Sequence, residues 1–417
     1  MQIGPDRFLT YCTNIHPADG WPAVRETLEA YAPRLKAALS PGAPFAVGLR
    51  LSGRESRELL EGDHLARFRD YLAAEGLVVY TINGFPYGPF HRAAVKDRVH
   101  APDWREPERV AYTLRLAEIL AAVLPEGMDG GISTNPLAYR LWFGEGDEHA
   151  IDRATWTLFV RHLVEVVTAL VRLREAKGTF IHIDVEPEPD GVLGDSRDLV
   201  RFFEDWLLPA GAPLLAEALG TSRDEARARL LEHVQVCWDT CHVAVAYEEP
   251  ADVLARYEAA GIRVGRLQIS SALKVDLPVS LAARESVAEA LAPFAESTYL
   301  HQVVQRNRDG RLRAFPDLDA ALPAIGAAEA AAWRIHFHVP VFAERFGDFE
   351  DGFGSTQDGI LATLALLDER PFTRYLEIET YTWDVLPPGL RLPLGDSIRR
   401  EFEWVLEAAG ASDLRHV

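Results

Sequence analysis

Thr179-Phe-Ile-His-Ile-Asp-Val-Glu186-Pro-Glu188-Pro189 and Val234-Gln-Val-Cys-Trp-Asp239-Thr-Cys-His242 are the stretches on which the reading of this chain turns. In both, β-branched and apolar residues alternate with polar ones, the pattern of a half-buried strand. His182, Asp184 and Glu186 fall on one face of the first strand, because successive side chains alternate. Pro187 and Pro189 cannot donate to a central ladder, so the strand ends near Glu186. Both strands therefore finish in groups that bind metals or carry protons. Parallel α/β folds place their ligands at this carboxyl-terminal lip.

Outward from these strands, a strand-then-helix alternation covers nearly the whole chain. Strands are expected at 7–11, 45–51, 77–82, 130–134, 179–186, 234–240, 265–270 and 374–381, with helices between them. Helix–glycine–strand junctions recur at Gly76, Gly178 and Gly261, where a C-cap glycine lets the chain reverse. Regularity breaks after the seventh strand. There a hairpin is expected near 299–311, followed by an extra strand at 333–339. Eight strands plus one extra predict a (β/α)₈ TIM barrel elaborated after strand seven. No linker or low-complexity run interrupts it, so residues 1–417 read as one domain with an insertion at about 296–345. A doubly wound open sheet is the alternative fold, but no glycine-rich phosphate fingerprint follows an early strand.

Of the 417 residues, 48% are hydrophobic and 25% charged, which is ample for a core. The formal net charge of −20 argues against nucleic-acid phosphate or anionic lipid as a bulk partner. No signal peptide and no bilayer-spanning run are read, so a cytoplasmic protein that neither binds nucleic acid nor inserts into membranes is expected. Cys12, Cys237 and Cys241 lack paired Cys-x-x-Cys spacing, which speaks against a disulfide framework or zinc knuckle.

Asp239 and His242 stand three residues apart where a strand rolls into a loop, so both can face one metal. Glu186 and Glu379 end two other apolar strands. Singly, each reads equally well as a structural ion-pair partner. Together they repel when packed closely, and a divalent cation relieves that repulsion. His336 and His338 share one face of the extra strand, where one could close a metal shell. The bland alternative is a core histidine bonded to a carbonyl. His182 and Asp184 lie deeper and read as core polar groups. Asn14, His16, Asn83, Phe85, Tyr87, His91, Glu188, Gln268 and Lys274 fall near strand ends and are the candidates for substrate contact. For Lys274 a solvated surface role is the simpler reading.

The order of a Glu-ending strand, then Asp-Thr-Cys-His, then Ile-Glu-Thr on the last strand resembles the xylose-isomerase-like TIM barrels. That superfamily includes sugar and sugar-phosphate isomerases and epimerases, and repair enzymes of the endonuclease IV type. Tyr11-Cys-Thr-Asn-Ile-His-Pro17, Thr81-Ile-Asn-Gly-Phe-Pro-Tyr-Gly88, Asp184-Val-Glu-Pro-Glu-Pro189, Trp238-Asp-Thr-Cys-His242 and Gln268-Ile-Ser-Ser-Ala-Leu-Lys274 resemble, more closely, the EboE metabolite-traffic proteins. The resemblance implies that Glu186, Asp239 and Glu379 are ligands of one divalent metal (Mn, Co, Mg or Zn), with His242 a further ligand or substrate contact. It also implies that Glu186 and Glu379 are acid and base. In one respect the chain departs from the pattern. The superfamily's metal-binding histidine on strand seven is replaced by Gln268: either Gln268 coordinates weakly, or a histidine of the insertion, His338 before His336 or His301, takes its place, or the metal site is degraded. The expected activity is a metal-dependent isomerase or epimerase acting on a sugar, sugar phosphate or cyclitol. A non-catalytic carrier barrel and an endonuclease IV-like phosphoesterase are the alternatives.

Overall fold

The computed structural model describes residues 1–91, 95–144, 151–346, 353–383, 386 and 393–411. Eight parallel strands form its centre: β1 (Arg7–Tyr11), β2 (Leu49–Arg50), β3 (Thr81–Asn83), β4 (Asp129–Thr134), β5 (Phe180–Val185), β6 (Val234–Asp239), β7 (Val264–Ile269) and β8 (Tyr375–Ile378). They pair in the order β1-β8-β7-β6-β5-β4-β3-β2. The two ends of this curled sheet meet at a parallel bridge between Cys12 and Gly48. There Gly48 donates its N–H to Tyr11 at 2.9 Å and Thr13 donates to Gly48 at 2.8 Å. Parallel neighbours need long crossovers. Helices such as Trp21–Leu39, Pro107–Val123, Arg153–Lys177 and Pro250–Ala260 supply them. Asp152 caps the third by accepting from the Thr155 N–H, and Gly178 closes it in the left-handed conformation.

Two expected strands, 45–51 and 77–82, each divide in two. Phe45–Ala46 pairs with Leu77–Val78 as a separate ladder, and Leu49–Arg50 pairs with Thr81–Asn83. The helix Arg153–Lys177 corrects another expectation, since by length and composition it could cross a membrane. Here its Phe159, Leu163, Val166, Val167 and Leu170 stripe is buried in the protein core.

Beside the barrel lies a six-stranded antiparallel sheet, ordered Leu312–Phe315, Val303–Asn307, Ala330–Val339, Ser271–Asp276, Phe353–Ser355 and Arg345–Phe346. The expected extra strands lay between 296 and 345, whereas these strands run from Ser271 to Ser355. Only Ser270 separates β7 from the sheet's first strand. The chain thus passes from barrel to side sheet without a helix, and carries the side sheet over the barrel's carboxyl-terminal end.

Deeper in the barrel a buried ionic group crosses the interior. Arg266 on β7 pairs with Asp184 at 3.2 Å and with Glu377 at 3.2 Å, all three inaccessible to solvent. His182 bonds Asp184 from the same strand. A Cβ at Gly265 would lie 2.0 Å from an Asp184 oxygen, and one at Gly131 would lie 2.3 Å from the other. These two positions therefore exclude every side chain but hydrogen, and the carboxylate occupies the space.

A candidate metal centre at the barrel mouth

Three strand ends bring Glu186, Asp239 and Glu379 together just above the ionic group. One ligand oxygen from each lies within 4.8 Å of the others, and all three residues are buried. Asp239 Oδ1 is committed to its own backbone: it accepts from the Cys241 and His242 N–H groups at 2.7 and 3.1 Å, and from the Ser270 hydroxyl. Among the described residues its Oδ2 has no hydrogen-bond partner, nor has Glu186 Oε2. Glu379 Oε1 is gripped by two amides, Asn14 Nδ2 at 2.7 Å and Asn83 Nδ2 at 2.9 Å. Burial first, then the neighbouring carboxylates, pushes Glu186 and Glu379 well above the ordinary carboxylate range. Asp239 runs the other way. Burial opposes its charge, but His242, His338 and Ser270 together hold it below its usual value.

Against this carboxylate face stand three imidazoles, His336 and His338 from the side sheet and His242 from the turn of helix that follows β6. Each ring is oriented by a carbonyl oxygen that accepts from its Nδ1. The Pro187 carbonyl holds His242 at 3.0 Å, Gln302 Oε1 holds His336 at 2.7 Å, and the Glu379 carbonyl holds His338 at 2.7 Å. Each Nδ1 therefore carries the ring proton and each Nε2 presents a lone pair. Those lone pairs converge. His336 Nε2 is 3.2 Å from His242 Nε2 and 3.1 Å from His338 Nε2, and Asp239 Oδ2 is 3.9 Å from the Nε2 of both His242 and His338. Burial drives all three rings toward the neutral form, His338 to about 4 and His336 well below its usual value. Neutral rings facing lone pair to lone pair have nothing between them to share. Two donors bound to one cation at about 2.1 Å stand roughly 3.0 to 4.2 Å apart, and these separations fall in that range. A carbonyl or carboxylate behind each imidazole is the usual support of metal-binding histidines. The donor set thus fits a divalent cation, with Asp239 common to the oxygen-rich and nitrogen-rich halves.

The cluster opens into a cavity lined by Asn14, Asn83, Phe85, Glu188, His336 and Tyr381 among others. Glu188 is buried, which lifts its carboxyl to about 8, and it accepts from Gln302 Nε2 at 3.2 Å. His91 lies beside this lining, its Nδ1 2.8 Å from the Tyr299 hydroxyl. The other expected contacts lie elsewhere. His16 bonds the Tyr11 hydroxyl at 3.1 Å and packs against the Tyr31 ring. The Tyr87 hydroxyl donates to Glu108 at 2.8 Å. Lys274 lies on the side sheet and pairs with Asp358 at 2.7 Å. Gln268 is fully buried between β6 and β8, and accepts from Cys237 Sγ at 3.1 Å. His301 is tied to the His336 carbonyl and to Glu296. His338, the expected substitute ligand, lies with Asp239 and His242, and His336 sits between the other two rings. Their shared period-2 spacing was the only signal for both.

No protein-family model and no curated protein matches the chain. Solved structures do resemble it, xylose-isomerase-like TIM barrels among them. One from Mycobacterium smegmatis, in complex with magnesium, is 12% identical with a TM-score of 0.50, covering 99% of each chain. The IolI protein with a binding zinc atom is 11% identical with a TM-score of 0.45, covering 97% of this chain and 98% of its own. A D-tagatose 3-epimerase-like protein is 12% identical with a TM-score of 0.46, covering 98% and 100%. At such identities the likeness is one of fold.

Proposed function

We propose that the protein is a divalent-metal-dependent isomerase or epimerase of a small polyhydroxylated molecule, a sugar or cyclitol type of compound. The observation that carries this reading is the convergence of Glu186, Asp239 and Glu379 with three neutral imidazoles, two of the carboxylate oxygens having no partner among the described residues. Magnesium and zinc in structures of similar fold are in keeping with it. A bound divalent cation would supply Lewis-acid polarisation of a carbonyl and its neighbouring hydroxyl. Glu186, with Oε2 uncommitted and its basicity raised by burial, removes the adjacent carbon-bound proton. Glu379, steered by Asn14 and Asn83 and held protonated by burial, delivers its own proton to the carbon, so that each turnover leaves Glu186 protonated and Glu379 ionised. Asn14, Asn83, Phe85 and Glu188 orient the substrate. The motif resemblance extends the proposal to an EboE-like role in metabolite traffic within the cytoplasm.

Elemental analysis of the purified protein beside Glu186→Gln and Asp239→Asn tests this reading. At least one divalent ion per chain in the wild type, lost in both variants, is the expected result. A wild type that takes up no metal after reconstitution would sink the mechanism and leave the barrel a carrier.

The density of histidines supports a second reading, a metal phosphoesterase of the endonuclease IV kind. The net charge of −20 opposes it, because a phosphodiester would approach an acidic surface. Hydrolysis of bis-p-nitrophenyl phosphate by the reconstituted protein would favour it.

A further inference from the structure

The cavity has a second polar end that the metal centre does not use. Behind Phe85 and Glu188 lies His100, fully buried, with neither ring nitrogen hydrogen-bonded among the described residues. Its ring sits between Phe85 and Tyr139, with centroids 5.3 and 5.2 Å away. Packing alone would be served as well by a phenyl ring, which leaves no nitrogens unsatisfied. His100 Nε2 points at Glu188, 4.0 Å from Oε1. About 1 Å of side-chain movement would close that to a hydrogen bond. On its other side Glu188 is held by Gln302, whose amide nitrogen also donates to the Pro189 carbonyl at 3.1 Å and whose oxygen orients His336. Glu188 thus stands between two polar neighbours, faces the cavity, and is linked through Gln302 to the imidazole cluster.

The rest of the wall narrows what can enter. Phe90 and Tyr299 both pack on Tyr381, with centroids 4.9 and 5.1 Å away, giving an aromatic surface suited to the C–H face of a saturated ring. Glu186, Glu188 and Glu379 all line the cavity. Among the described lining residues Lys96 is the cation, and its ammonium is held by Asp317 at 2.6 Å and the Glu296 carbonyl at 3.0 Å. A phosphate entering here meets carboxylates and a lysine already paired, whereas a hydroxyl finds acceptors and amide donors.

We infer that Glu188, backed by His100 and Gln302, is the hydroxyl-recognising end of the pocket, and that the substrate is an uncharged cyclic polyol or its ketone rather than a phosphate ester. The inference rests on the isomerase reading for the site, and it names the substrate class. His100 acts through Glu188 and is a positioning residue.

The test uses the full chain reconstituted with Mn²⁺ and four probes: myo-inositol, its 2-keto derivative, D-fructose and D-fructose 6-phosphate. Binding is measured by calorimetry, and carbon-bound proton exchange by NMR in D₂O. A neutral compound should bind at least about tenfold more tightly than the phosphate ester. Glu188→Gln and His100→Phe should each weaken that binding about tenfold while metal content stays unchanged. Glu188→Asn, which shortens the side chain, should weaken it further than Glu188→Gln. Tighter or equal binding of the phosphate overturns the inference, as does polyol binding indifferent to both substitutions, or no binding of any neutral probe. Preferential binding of a neutral probe without proton exchange upholds the substrate class and overturns the isomerase reading instead.

Discussion

Asn14 and Asn83 come from β-strand ends far apart in sequence, yet both amides close on the same oxygen of Glu379. Neutral donors there hold the carboxylate's direction without cancelling its charge, as an arginine would. Asn83→Asp places a like charge beside Glu379, so the site should lose metal affinity about 10- to 100-fold, read by competition with a chelating dye. Asn83→Ala should lose less, since it removes a donor without adding charge. Some of this was legible in the sequence and some was not. Glu186, Asp239 and Glu379 announce themselves because each ends an apolar strand, where an unpaired carboxylate needs a reason. His16, Tyr87 and Lys274 looked equally well placed, but each has a nearer partner in Tyr11, Glu108 and Asp358. Such partners are long-range pairings that spacing along the chain does not encode. His100 gave no signal at all, because the residues around it alternate with neither helical nor strand period.

At the scale of elements, the barrel strands were readable because they alternate and are punctuated by glycine. The side sheet was readable only in part. Its hairpin and its long strand Ala330–Val339 have strand composition, but Ser271–Asp276 follows β7 across Ser270 alone, with no glycine or proline to mark the turn. The pairing of Leu273 with Ile335 is what brings His336 and His338 over the barrel, and it joins segments about sixty residues apart. Inside the barrel, β4, β5 and β7 fit together only because Gly131 and Gly265 leave room for the Asp184 carboxylate. Gly265→Ala should cost about 3 kcal/mol or more, seen as a lowered denaturant midpoint. Arg266→Met leaves Glu377 buried without its counter-charge and Asp184 with His182 alone, and should cost about 3–5 kcal/mol by the same measurement.

Over the whole molecule, the C-terminal helix, the exit from the side sheet and the end of β8 meet at Glu401. This buried carboxyl accepts from the Thr380 hydroxyl and from the Val341 N–H at 3.3 Å. Burial raises its pKa to about 8 from an ordinary value of 4.5. The folded protein therefore holds a proton that the unfolded chain releases between those values. Its contribution to stability is complete below about pH 4.5 and is lost as pH rises through about 8, by up to about 5 kcal/mol. Glu401→Gln should flatten the fall in melting temperature across that window in thermal scans at several pH values. The donor set has a mechanical consequence as well. Its carboxylates belong to the barrel, and two of its three imidazoles belong to a sheet that reaches the barrel through one residue. A cation held by both would be a rivet between two layers, loaded whenever the side sheet tries to lift. Amide hydrogens of Ala330–Val339 would then exchange at rates set by the free metal concentration, slowing as it rises, while those of β4 would not respond.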